Sequence, residues 1–175
     1  MKPKIFIYLF KSASVKYHTL RIVLAIIIST LCIQLLNAQS SKVDSLKHLL
    51  ATATNDSAKV EISIQISWEY VWSWPDSTIR YANKALELAR HSDQKPQQAD
   101  LLDLLGFAYV EMGNFSIGLE KAFEALAIAK EVDDPGRTLS YEASIGSAYF
   151  NSGDYDKARS HFLTYYRGES KVDRL

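Results

Sequence analysis

The stretch LLDLLGFAYVEMGNFSIGLEKAFEALAIAKEVDDPG, residues 101–136, decides the fold. Up to Met112, apolar and small side chains return at three- and four-residue steps, the spacing of one face of an α-helix. Gly113-Asn114 interrupts that pattern, and it resumes from Phe115 to Val132. Asp133 to Gly136 then supplies a polar break containing proline, which lacks the amide hydrogen that a helix interior requires. The segment reads as two amphipathic helices joined by a tight turn.

The same unit recurs at an offset of 40 residues. Gly106, Ala108, Tyr109 and Gly113 return as Gly146, Ala148, Tyr149 and Gly153, and Phe115 returns as Tyr155. In the other direction, Ala82, Ala85, Leu86, Ala89 and Asp93 anticipate Ala122, Ala125, Leu126, Ala129 and Asp133. Three hairpins follow: Ala58 to Ser73 with Asp76 to His91, Gln97 to Met112 with Phe115 to Val132, and Arg137 to Ser152 with Tyr155 to about Val172. Their repeats occupy 58–96, 97–136 and 137–175. A further helix, Ser41 to Ala53 within a 39–57 segment, places Val43, Leu46, Leu49 and Leu50 on one face, as expected of a cap that shields a terminal repeat.

These residues resemble the tetratricopeptide repeat. The middle unit carries Leu102, Leu105-Gly106, Tyr109, Gly118, Ala122 and Ala125, and the last carries Ile145-Gly146, Tyr149, Ala158 and Phe162. The last unit departs from the pattern at Glu142 and Tyr165, and the first, with Ile66-Ser67, Tyr70, Thr78, Ala82 and Ala85, has a turn one residue shorter. The resemblance implies an all-α solenoid. Its long period is similar to that of arrays in exported or membrane-bound bacterial signalling proteins.

Of the 20 basic residues, Lys2, Lys4, Lys11, Lys16 and Arg21 precede any acid, so residues 39–175 hold 15 basic against 20 acidic. That acidic balance gives no basic stripe for phosphates, so nucleic acid is set aside as a partner. Behind those charges, Ile22 to Leu36 is apolar, and Leu36-Asn37-Ala38 leads into polar Gln39-Ser40-Ser41. This order predicts a signal peptide over 1–38, cut after Ala38, and a periplasmic destination. The alternative is an uncleaved anchor over 22–36 in the inner membrane, the single contact with membrane; a helix of that length spans about 22 Å of a core about 30 Å thick. Cys32, the only cysteine, lies within this front segment, and bulky Leu31 before it disfavours a lipoprotein site.

In arrays of the family it resembles, first helices line a concave groove. Spacing from the glycine or its equivalent places there Glu61, Ile64, Trp68, Val71 and Trp72, then Asp100, Asp103, Phe107, Val110 and Glu111, then Ser140, Ala143, Ser147, Phe150 and Asn151. A groove aromatic at one end and acidic in the middle suits an extended peptide or a helix of another protein, with apolar anchors and some positive charge. The competing reading packs Trp68 and Trp72 into the core and leaves the acids as a solvated face.

No enzyme is expected. His18, His48, His91 and His161 lack metal-ligand spacing, His91 and His161 fall late in second helices, and the seven glycines form no phosphate loop or nucleophile elbow. Neither a cofactor nor a metal is called for. The expected function is an exported interaction scaffold; the alternative is the sensory fragment of a larger signal-transduction protein of the histidine kinase or transcription regulator type. The chain stops at Asp173-Arg174-Leu175 without a solvating cap, so truncation, or self-association through the last hairpin, is a further expectation.

Overall fold

The computed structural model describes residues 21, 24–30 and 42–172. The proposed cleavage point after Ala38, Cys32 and the terminal Asp173-Arg174-Leu175 lie outside them. The chain divides at Asp44/Ser45 into two units. In the first, residues 24–30 are helical with exposed side chains. Among the described residues no helix is long and apolar enough to cross a membrane.

Helix α1 (42–52) straddles that division. The second unit continues with α2 (Asp56–Tyr70), α3 (Pro75–His91), α4 (Lys95–Glu111), α5 (Phe115–Glu131), α6 (Pro135–Ser152) and α7 (Tyr155–Val172). Each helix packs on the next from α2 onward, α2 also meets α4, and α4 also meets α6, whereas α3, α5 and α7 do not meet one another. The first helices of the hairpins are therefore the closer-spaced layer, which makes theirs the concave face.

Helix starts follow from local chemistry. Asn55 accepts a hydrogen bond from the Ala58 amide at 2.7 Å, and Asp134 accepts one from the Arg137 amide at 2.9 Å, each satisfying a donor left over in a first turn. Pro75, Pro96 and Pro135 lie in first turns, where a missing amide hydrogen costs nothing and the fixed φ suits the helix. This corrects the expected starts at Gln97 and Arg137; the first helix likewise ends at Tyr70 rather than at the expected Ser73, which leaves Trp72 in the turn after α2. The prolines begin α4 and α6 rather than separating them from the preceding helix.

Four of the five turns from α2 onward share one device: a left-handed residue just past the helix, at Asp93 (φ 51°), Gly113 (77°), Asp133 (53°) and Gly153 (86°). Its amide and the next return to the last turn, as when Gly113 N donates to Val110 O at 2.9 Å and Asn114 N to Tyr109 O at 2.8 Å. The exception is the turn between α2 and α3, which at residues 71–74 is the longest of the five although its sequence spacing suggests a shorter one; there Trp74 N donates to Tyr70 O at 2.8 Å and Val71 stays right-handed.

The core follows the repeated small residues. Ala82, Ala85, Ala89, Ala122, Ala125 and Ala129 are buried against Leu101, Leu102, Leu104, Leu105 and Ile145. A Cβ on Gly106 would stand 2.9 Å from the Gly118 carbonyl oxygen, and one on Gly118 would stand 2.8 Å from that of Gly106, so both glycines are set by backbone contact between α4 and α5. In the first hairpin buried Ser67 and Thr78 meet instead, the Thr78 hydroxyl donating to the Ser67 carbonyl at 3.2 Å. On α1, Leu46 is buried, Leu50 half-buried and Leu49 exposed, while Lys47 lies over the Tyr70 ring of α2.

Candidate functional site

The concave layer carries the residues that spacing placed in a groove, with different fates. Ile64 and Val71 are core residues and offer little surface. Trp68 and Trp72 stay 52% and 71% exposed, so neither is absorbed into packing. Trp72 sets its ring edge-on to Phe107, centroids 4.6 Å apart, across the boundary of the first two repeats. Glu61 and Glu111 are exposed at the margins, Ser140 is exposed and Ala143 half-buried, and exposed Phe150 turns to Tyr155 instead.

Asp103, Phe107 and Val110 of α4 and Ser147 and Asn151 of α6 come together around one pocket, its floor opened by Gly118 and Ala122 of α5. Within it, space for a water-sized group amounts to about 20 Å³, enough for about one water. Spacing along first helices alone had no means of finding the floor, because Gly118 and Ala122 belong to a second helix. Ser144, one residue from predicted Ala143, also lines the pocket. Its signal is only its position one turn before Ala148.

The two acids of α4 have opposite roles. Asp100 is engaged: Arg137 donates to it from Nε and Nη2, both at 2.9 Å, and Tyr141 Oη donates at 2.7 Å. Arg137 also donates through Nη1 to Asp134 at 2.7 Å, so one guanidinium ties the cap of α6 to α4 in the planar, paired geometry that suits carboxylates. Burial, then the Asp100 hydrogen bond, raises the Tyr141 phenol well above its usual range. The Arg137 amide and guanidinium hold Asp134 below the usual carboxylate range.

Asp103 has no such partner. Its Oδ1 is buried and accepts no hydrogen bond. Burial pushes the carboxyl up from 3.8 to about 6, with the nearby charge of Asp100 adding to the rise and the Ser144 hydroxyl opposing it.

Glu142 and His161, flagged as departures or bystanders, form a second polar pair. Buried Glu142 meets His161 Nδ1 at 2.7 Å, with Lys130 Nζ 3.5 Å away, and His161 stacks on Tyr149 at 5.5 Å. The imidazole supplies the partner that makes a carboxylate tolerable where the repeat pattern calls for an apolar residue. His161 lies in the first half of α7, not late in it. Among the described residues no group of three or more His, Cys, Asp or Glu could hold a metal ion.

Stacked helix hairpins with small residues at their contacts and a pocketed inner face define a tetratricopeptide-type solenoid, a fold typical of protein-interaction scaffolds. The chain belongs to the SusR N-terminal TPR domain family, whose model matches residues 34–171. Among solved structures it is similar to the TPR domain of Arabidopsis FLU, with 17% identity and a TM-score of 0.60 over 69% of this chain and 100% of that one. It is also similar to the apo form of RapI, with 19% identity and a TM-score of 0.66 over 78% of this chain. The chain spans 40% of RapI. No curated protein sequence matches it. At these identities the structural likeness speaks for the fold alone.

Proposed function

We propose that this chain is a non-catalytic module that receives an extended polypeptide, or one face of a partner helix, across α2, α4 and α6. The observation that carries the reading is Trp72, largely exposed yet held edge-on by Phe107 beside the pocket on the concave layer. A large aromatic surface kept in solvent is costly unless a partner covers it, and rigid aromatics lose little entropy on binding. The basic, apolar, small, polar order of the first 41 residues supports delivery of the module out of the cytoplasm.

Panning a phage-displayed library of random dodecapeptides on the immobilised full chain tests this. Enriched sequences are expected on the wild-type protein, with at least tenfold weaker retention on Trp72→Ala. No enrichment, or equal retention on that variant, overturns the groove reading. A second reading, the sensory part of a longer signalling protein, is favoured by the family's description as an N-terminal domain.

A further inference from the structure

We infer that the pocket between α4, α5 and α6 is a lysine subsite, in which the ammonium of a partner's lysine side chain meets the Asp103 carboxylate. The inference rests on the groove reading above and names what that groove selects.

Four observations converge on this occupant. Asp103 lines the pocket and its Oδ1 is enclosed without a hydrogen-bond donor, although nearby Asp100 receives three from Arg137 and Tyr141. A buried acceptor left unpaired costs stability, so its persistence at a pocket marks a group awaiting a donor. The donors on α6 nearest these two acids are already used: Arg137 on Asp100 and Asp134, and the Tyr141 phenol on Asp100, which leaves Asp103 only the Ser144 hydroxyl. No cation of the described residues is shown against Asp103, so a bound partner is the natural source of one.

Size and lining then choose among donors. About 20 Å³, room for about one water, matches a compact ammonium better than the planar, five-donor guanidinium of arginine. Phe107, Val110 and Ala148 give the walls an apolar character along which a lysine stem can lie, while Ser144, Ser147 and Asn151 add polar atoms for the remaining ammonium hydrogens. The net acidic balance of residues 39–175, 15 basic against 20 acidic, favours a cation's approach.

The same dodecapeptide library, panned at pH 7.5 on wild type and on Asp103→Asn, reads the subsite directly. Wild-type protein is expected to enrich sequences with lysine at one fixed position, and Asp103→Asn to enrich sequences without that preference. A synthetic enriched peptide whose lysine is acetylated is expected to bind wild type at least tenfold more weakly and the variant equally well. Arginine at the fixed position, no fixed cation, or a lysine preference that survives in the variant overturns the subsite, while Trp72-dependent enrichment keeps the groove. Absence of any enrichment on wild type removes both. Circular dichroism of Asp103→Asn, expected to match wild type, separates loss of the subsite from loss of fold.

Discussion

Asp103 is held ionised at neutral pH against its surroundings, and that has a measurable consequence. Its carboxyl titrates at about 6 in the folded chain against 3.8 as a free group. Below pH 3.8 it is neutral folded or unfolded; between 3.8 and 6 the folded form keeps a proton that the unfolded chain has released, so stability falls as pH rises; above 6 the whole penalty is present. Asp103→Asn removes the charge with little change of shape. It is expected to raise stability by about 1–3 kcal/mol at pH 7.5 and by little at pH 4, measured by urea denaturation at both. An equal gain at both pH values would show that charge burial is not the cause. A residue that costs stability at a pocket is the usual trade between folding and binding.

At the scale of helices and turns, the hairpins are held by backbone proximity and by left-handed turn residues. Gly106→Ala would drive a Cβ to 2.9 Å from the Gly118 carbonyl oxygen, backbone that has no rotamer to escape into. The expected loss is about 1–3 kcal/mol in thermal or urea unfolding, and a neutral result would contradict so close an approach of α4 and α5. Asp133 occupies with φ 53° the position that Gly113 and Gly153 fill elsewhere. Asp133→Gly is therefore expected to be neutral or to stabilise by up to about 1 kcal/mol, and a drop in melting temperature of several degrees would count against it.

These elements are also where the sequence was most legible. Gly106 and Gly146, the alanine ladder and Tyr109 and Tyr149 repeat because each must satisfy the same helix contact, so their period reveals the hairpins. Pro96 and Pro135 were harder to place, since proline signals a helix start as readily as a break, and only the cap beside it decides. The site was half legible. Helical spacing brought Asp103, Phe107, Val110, Ser147 and Asn151 to one face, but it could not tell Asp100, occupied by Arg137 and Tyr141 from the next repeat, from Asp103, whose Oδ1 accepts no hydrogen bond. That distinction lives in contacts between repeats. Ile64 and Val71 showed the same limit: α2 and the residue that caps it bury part of their inner side against their neighbours.

For the whole molecule the claim is that three stacked hairpins exist to present the α2, α4 and α6 layer. Repeat stacks gain stability from nearest-neighbour contacts, which leaves the concave face free to vary for recognition. The described fold supplies the ingredients there: exposed Trp68 and Trp72, Phe107 edge-on to Trp72, and a pocket with a carboxylate oxygen that accepts no hydrogen bond. The most direct measurement is the backbone NMR spectrum of the isotope-labelled chain titrated with a peptide enriched by panning. Shift changes are predicted to gather on Trp72, Asp103, Phe107, Ser147 and Asn151. Changes gathered instead on the outward faces of α3, α5 and α7, with those five amides unmoved, would contradict the account.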